Sequence, residues 1–395
     1  MEPSHNPSRP QPLIVAGLGL GQMLSFGSSF YLLGVIGEGI AHSLSLRPAL
    51  VSSLLSLALL ASALSAPSIG RWIDARGGKV VLMCASLVFA AGLTLIALAQ
   101  GLVSLCLGIA VLGIAMGLGL YETPYAILVG LYGEAARRPM VGIALLGGLG
   151  STVGLPTTLA LEHAFGWRGA CLAWAGLHLC ICLPITALIV PRTPGRHRDA
   201  PARAAIPWDR TMIQLAALFA GAWTVSACVA ALLPRVLQGF GLTQAQAVGA
   251  ASLIGVAAVS MRLAEFTVLR KLPPIVTTRV ATLFHPIGAA SLLIFGGVAA
   301  PVMALGQGAG NGVLTVAKGV LPLSLYGPAN YGYRSALLAT PARFAQVAGP
   351  LLYGVLVDRS AAVAVTASAV VCLGMFATTF GLTRRIQSQP ETASA

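Results

Sequence analysis

The sequence predicts an all-α integral membrane protein with twelve transmembrane helices in two six-helix, pseudo-symmetric halves. Three observations carry that reading. Of 395 residues, 56% are hydrophobic and only 9% charged, against roughly a quarter charged in an ordinary soluble domain. The apolar residues gather into twelve runs, each near the ~20 residues that cross a bilayer. A charged pattern at the end of the second run recurs at the end of the eighth, displaced by 191 positions, from Arg71 to Arg262 and from Asp74 to Glu265.

The runs, bounded by polar or Pro/Gly breaks, lie at 13–37, 48–69, 79–99, 102–129, 139–161 and 168–190, then at 211–233, 245–268, 276–297, 300–324, 335–357 and 361–383. Residues 1–12 read as an N-terminal tail, polar and Pro-rich, with no cleavage site before the first run. The stretch 191–210, rich in Arg and Pro, reads as a linker between a first six-helix unit (13–190) and a second (211–383), and 384–395 as a C-terminal tail. Both tails are expected in the cytoplasm. The 46 Gly and 24 Pro are spread through the apolar runs, as in membrane helices. All seven Cys lie inside apolar runs, so no disulfide framework is expected.

Loop charges fix the direction of the spans. With the termini in the cytoplasm, Arg9, Arg71, Arg76, Lys79, Arg137, Arg138, the linker arginines (Arg192, Arg196, Arg198, Arg203, Arg210), Arg270, Lys271, Arg279, Arg334, Arg384 and Arg385 fall inside. Only Arg47, Arg168, Arg235 and Arg359 fall outside. The formal charge of +13 is therefore mainly topology, with attraction to anionic lipid heads as its by-product. Nucleic acid is not an expected partner; the lipid bilayer is.

The repeat identifies a family. After the second run the chain reads Gly70-Arg71-Trp72-Ile73-Asp74-Ala75-Arg76-Gly77-Gly78-Lys79; after the eighth come Arg262, Glu265 and Arg270, each 191 positions on from Arg71, Asp74 and Lys79. Arg168 and Arg359 share the displacement. A duplicated six-helix unit accounts for it. The segment 70–79 resembles the loop between helices 2 and 3 of the major facilitator superfamily, matching at Gly70, Asp74, Gly77 and Lys79, with the usual Arg after the Asp shifted to Arg76. Gly166-Trp167-Arg168 is also common there. The resemblance implies two six-helix pseudo-symmetric bundles around a central cavity, worked by alternating access, by a monomer without cofactor or enzymatic activity.

On that resemblance Gly70, Arg71, Asp74, Arg76 and Lys79, and through the repeat Arg262 and Glu265, form a conformational gate. Gly70 allows close helix approach, and Asp74 accepts from a helix start or pairs with a base across the bundles. The competing readings are headgroup anchoring for the loop and, for Arg262, substrate binding from within helix 8. The superfamily's drug/proton antiporters carry an Arg in helix 4 where Ile109 stands here, which disfavours an efflux antiporter, kept as the alternative to a solute carrier. No nucleotide-binding loop is present.

Three further charges lie inside spans, where they are costly and face a cavity or each other: Glu122, Lys318 and Arg343. Chain direction places all three in the cytoplasmic half of the bilayer. On helix 10, Gln307, Asn311, Thr315 and Lys318 follow steps of 4, 4 and 3 along one face; Gln22, with Ser25 and Ser29, forms a weaker stripe on helix 1, and Gln346 shares a face with Arg343. Two readings stay open. Lys318 and Arg343 attract a carboxylate, with Glu122 coupling a proton, or Glu122 pairs with a cation as a gate. Two cations to one acid favour an organic anion such as a monocarboxylate, since monocarboxylate and oxalate-type members of the superfamily use basic residues in their second half. Tyr31, Tyr121, Tyr125 and Trp223 are candidates for an apolar cavity wall. Cys171, His178 and Cys182 share a face of helix 6 that suggests a soft metal but reads more simply as packing, as does His285. A membrane enzyme or sensor is the reading of another class, disfavoured by scattered His residues and short tails. The expectation is a proton-linked carrier of a small organic solute in a bacterial-type inner (plasma) membrane.

Overall fold

A computed structural model describes residues 11–192 and 206–382. Residues 1–10 of the expected N-terminal tail, the expected C-terminal tail, most of the linker and Arg9, Arg196, Arg198, Arg203, Arg384 and Arg385 lie outside the described residues, while Gln11 and Pro12, expected in the tail, open the first helix. The rest is helical, with no strand among the described residues.

The first span is α1 (Gln11–Gly27) with α2 (Leu32–Ser43), the second α3 (Pro48–Arg76), the third α4 (Gly78–Ala97). The fourth is α5 (Leu102–Gly119) with α6 (Glu122–Tyr132). The fifth begins with α7 (Arg137–Gly147) and continues into α8 (Gly150–Leu177), which bends sharply at the non-helical Gly166 (φ 67°, ψ 174°) to start the sixth, completed by α9 (Leu183–Ile189). The second half is more regular: α10 (Arg210–Gln238), α11 (Gln244–Thr267), α12 (Pro274–Phe295), α13 (Ala300–Tyr326), α14 (Tyr331–Arg359) and α15 (Ala361–Thr378) supply one span each. Among the described residues eight continuous helical stretches are long and apolar enough to cross a membrane, two of them containing several spans. Only α14, which carries Arg334, Arg343, Asp358 and Arg359, falls outside them.

The segment expected as a loop at 70–79 is almost wholly helix. Gly70 to Arg76 form the last turns of α3, Gly78 opens α4, and Gly77 alone breaks the helix, at φ 83°. Only Gly takes that φ without strain. The charges of the segment therefore stand on a rigid helix end.

Buried side chains form one cluster within α2–α5 and α8, including Ile36, Phe89, Leu112 and Trp174, and another within α10–α15, including Leu215, Leu292, Met303 and Val365. A third cluster mixes the halves, setting Tyr121, Tyr125 and Met140 against Val316, Val320 and Tyr331. The two bundles are thus packed together towards the end that bears Asp74, hereafter the Asp74 face. At the opposite face lie Arg168, which donates to the Ser43 hydroxyl and the Ala99 carbonyl, and Arg235, paired with Asp358. Two of the four arginines expected outside are therefore tied there, and Arg359 ends α14 beside Asp358.

Candidate functional site

Three helix interruptions in the first half shape the centre of the molecule: residues 28–31 between α1 and α2, 120–121 between α5 and α6, and 148–149 between α7 and α8. The second follows from sequence. Gly117 and Gly119 weaken the end of α5, Leu120 is extended (ψ 177°), and Pro124, which has no N–H to give to an upstream carbonyl, sits in the first turn of α6. The break leaves Glu122 in the first turn of α6, where the exposed amides of a helix start favour a negative charge.

These breaks line a central cavity of about 780 Å³. Phe26, Phe30, Tyr31, Tyr121 and Glu122 form its wall from the first half; Trp223, Ser226, Asn311, Thr315, Lys318, Arg343 and Gln346 form the wall from the second. It reaches from the ion cluster described next to the exposed Ala230 and Ser252, towards the opposite face.

At the cavity floor the three expected charges meet. Glu122 Oε1 lies 3.5 Å from Lys318 Nζ, and Glu122 Oε2 accepts from Arg343 Nη2 at 3.1 Å. Arg343 also donates to the Ser62 carbonyl at 3.1 Å. All three side chains are nearly buried. Lys318 Nζ is further bracketed by the rings of Tyr121 and Trp223, each centroid 4.6 Å away. The carboxylate belongs to the first half and both cations to the second, so the cluster ties the bundles across the cavity floor. In a buried site removal of one member leaves an uncompensated charge, which costs about 3–5 kcal/mol.

Arg262 differs from them. It is 8% exposed, lines the same cavity, and among the described residues no hydrogen bond or ion pair reaches its guanidinium; its Nε is buried without a partner. Gly148, at the third interruption, makes room for it: a Cβ there would lie 2.2 Å from Nη1. Arg262 therefore does not share the environment of its repeat counterpart Arg71, which is exposed, donates to Ser68 and lies over the Tyr333 ring at 5.6 Å. The cavity is lined by three cations, Arg262, Lys318 and Arg343, and one carboxylate, Glu122.

The Asp74 face is closed by contacts between the halves. Asp74 accepts from the backbone N–H groups of Gly332 (3.0 Å) and Tyr333 (2.9 Å) in the first turn of α14. Those amides have no intrahelical partner, and Asn330, the preceding residue, supplies no side-chain cap. Asp74 thus caps a helix of the other bundle. Gly70 permits this approach, because a Cβ would lie 2.5 Å from the Ala336 Cβ. The repeat produces a related contact: Glu265 accepts from Arg137 Nη2 at 3.1 Å, at the start of α7, and Arg137 also donates to the Leu272 carbonyl. Lys79 instead binds within its own bundle, donating to the Ala187 carbonyl, and Arg76 is exposed.

Two candidates on polar stripes do not line the central cavity. Gln307 is buried against α12, where its Oε1 meets His285 Nδ1 at 2.6 Å; the other ring nitrogen of His285 meets the Ser368 hydroxyl at 2.9 Å. Gln22 is buried inside the first bundle and donates to the Gly119 carbonyl at 2.6 Å, helping to hold the end of α5. Ser29 donates back to the Ser25 carbonyl in α1. His178 meets the Ser28 hydroxyl and stacks on Phe89, with centroids 4.4 Å apart. No group of three or more His, Cys, Asp or Glu suited to a metal occurs among the described residues. Tyr31, Tyr121 and Trp223 line the cavity, whereas Tyr125 is buried beneath it, stacked on Tyr121. Arg137 and the amides of α14 were missed by sequence reasoning. Arg137 was legible only as a loop cation, and backbone donors leave no trace in residue types.

Comparison with known proteins bears on this arrangement. The model of the family described as Major Facilitator Superfamily matches residues 18–306. Monocarboxylate transporter 12 of Rattus norvegicus is 33% identical over 129 residues, 31% of this chain and 26% of that protein. Monocarboxylate transporter 3 of Rattus norvegicus is 38% identical over 111 residues, 27% of this chain and 22% of that protein. The aligned part thus spans about a quarter of each relative. Among solved structures, the human organic anion transporter MFSD10 (TETRAN) superposes with a TM-score of 0.72 at 17% identity, over 94% of this chain and 100% of that one. The proton:xylose symporter XylE bound to 6-bromo-6-deoxy-D-glucose gives 0.73 at 14% identity, over 93% and 95%. At such identities these two likenesses concern the fold.

Proposed function

The chain belongs to the major facilitator superfamily and is a multi-pass membrane transporter, not an enzyme, and we propose that its cargo is a small organic anion, held by Arg262. The observation that carries this reading is the state of that guanidinium: buried, without a partner among the described residues, and facing a cavity with three cations to one carboxylate. An unpaired buried charge is costly, and a carboxylate offers a guanidinium two parallel charge-assisted bonds. The relatives named as monocarboxylate transporters support the choice.

The other charges have separate work in this reading. Glu122, Lys318 and Arg343 form a latch across the cavity floor, while Asp74 and Glu265 hold the closed face. An anion arriving at Arg262 attracts Lys318 and Arg343 as well, and so weakens their hold on Glu122. Cargo then favours the conformation in which the floor opens, as alternating access requires. Glu122, released from its cations, becomes the group that takes a proton, which makes the transporter proton-linked. The basic Asp74 face is the cytoplasmic one and the membrane is the plasma membrane, in keeping with the distribution of Lys and Arg. One chain contains both halves of the pathway and works as a monomer.

The test is thermal stabilisation of the detergent-purified protein by organic anions, cations and neutral analogues, repeated on Arg262→Gln. Stabilisation by carboxylates that disappears in a folded Arg262→Gln protein is the expected result. Stabilisation by cations alone, or by carboxylates equally in both proteins, overturns the reading.

A further inference from the structure

We propose that the cargo is an aromatic carboxylate, its acid group on Arg262 and its ring against the aromatic wall of the cavity. This rests on the anion reading above and adds what the remainder of the molecule must be.

The cavity wall from the first bundle carries four rings, Phe26, Phe30, Tyr31 and Tyr121, beside the aliphatic Leu59, Met116 and Leu120. Phe26 and Tyr121 are 5.0 Å apart and tilted by 49°, and Phe30 meets Tyr31 edge-on at 5.4 Å. Phe26 and Phe30 are themselves in edge contact at 6.5 Å, so the four rings form one continuous surface. Phe26 comes from the last turn of α1 and the other three from two of the helix interruptions, which turn consecutive residues such as Phe30 and Tyr31 towards the same space. Trp223 faces them from the second bundle. Such rings give specific offset or edge contacts to another ring beyond what area alone provides.

Size and polarity point the same way. About 780 Å³ is within the range of sites for drug-sized ligands, and a two- or three-carbon acid would leave most of the ring surface in contact with water. The wall carries one cation, Arg262, without a partner among the described residues, which suits one carboxylate. Lys318 and Arg343 already share Glu122, so a second acid group on the cargo would have to compete with that carboxylate. An aryl-alkyl monocarboxylate satisfies both the cation and the rings.

The experiment measures affinity calorimetrically with the full chain in nanodiscs, for phenylacetate and indole-3-acetate, for acetate and lactate, and for phenylacetamide, which keeps the ring and lacks the charge. The expected result is that the two aryl acids bind at least tenfold more tightly than acetate and lactate. Phe30→Leu and Trp223→Leu, which keep apolar volume on opposite walls but remove a ring, each narrow that ratio. Two variants are used so that a folding failure in one leaves the other. Aliphatic acids binding as tightly as aryl acids, with loss in Arg262→Gln, overturns the aromatic proposal and leaves the anion reading standing. Phenylacetamide binding as tightly as phenylacetate overturns the anion reading on which the proposal rests. Failure of every acid to bind overturns both.

Discussion

Replacing Asp74 by Asn should loosen the Asp74 face by a calculable amount. The carboxylate accepts from two backbone amides at the start of α14, at 3.0 and 2.9 Å, and hydrogen bonds to a charged group contribute about 1.5–3 kcal/mol each. Asn retains one acceptor oxygen at neutral strength and loses the other, together with roughly 0.3–1 kcal/mol of charge at a helix N-terminus. From these two bonds alone the loss is about 1.5–5.5 kcal/mol, or roughly tenfold at the least in the equilibrium between closed and open face. Hydrogen exchange of the Gly332 and Tyr333 amides reads it directly, since those protons are exposed whenever the face opens. In Asp74→Asn their exchange should accelerate by that factor, while α4, α5 and α12 remain as protected as before. Arg76→Gln, an exposed residue on the same helix end, should change nothing. Unaltered exchange at Gly332 and Tyr333 in Asp74→Asn would refute the assignment of Asp74 as the cap of α14.

Two other experiments test the remaining ties between the bundles. Glu122→Gln removes the one acid that balances Lys318 and Arg343, so the unfolding temperature should fall, reflecting about 3–5 kcal/mol. In proteoliposomes the variant should lose accumulation driven by a pH gradient while retaining cargo exchange; undiminished pH-driven accumulation would remove Glu122 as the proton site. A double-mutant cycle on Arg137→Ala and Glu265→Gln, read by the same exchange at the start of α7, should give a coupling of about 0.5–3 kcal/mol, as for residues in direct contact, and additive effects would show that the 3.1 Å pair does not hold the face.

The fold was legible because its signals are long. Twelve runs of bilayer length and the placement of arginines at one end each sum over many residues, so errors of several positions at a helix end, such as the extension of α3 from the expected 69 to Arg76, did not disturb the count. The meeting of Glu122, Lys318 and Arg343 was legible for a similar reason. Charge inside a span is rare enough that depth along each helix almost determines the partner. Rotation about a helix is another matter. Gln307 lies on one stripe with Asn311, Thr315 and Lys318, yet it turns to His285 on α12 while the other three line the cavity. A polar stripe says that a face avoids lipid, and both a neighbouring helix and a cavity meet that condition. Gln22 failed as a cavity residue on the same ground, its amide being taken by the Gly119 carbonyl.

The repeat shows the limit most clearly, because equal spacing did not produce equal environments. Asp74 and Glu265 both reach across to the other bundle, but one meets bare amides at a helix start and the other a guanidinium. Arg71 and Arg262 have diverged further. At Arg71 the chain is on an exposed helix end and Tyr333 is available as a cover. At Arg262 the neighbouring span is interrupted at Gly148, and the side chain enters the space left there instead of reaching the surface. The interruption belongs to α7 and α8, far from Arg262 in sequence, so no inspection of α11 alone could have found it. A duplicated pattern thus reports the ancestral position of a side chain, and the packing of the opposite bundle determines whether that position is a surface anchor or a buried charge in a cavity.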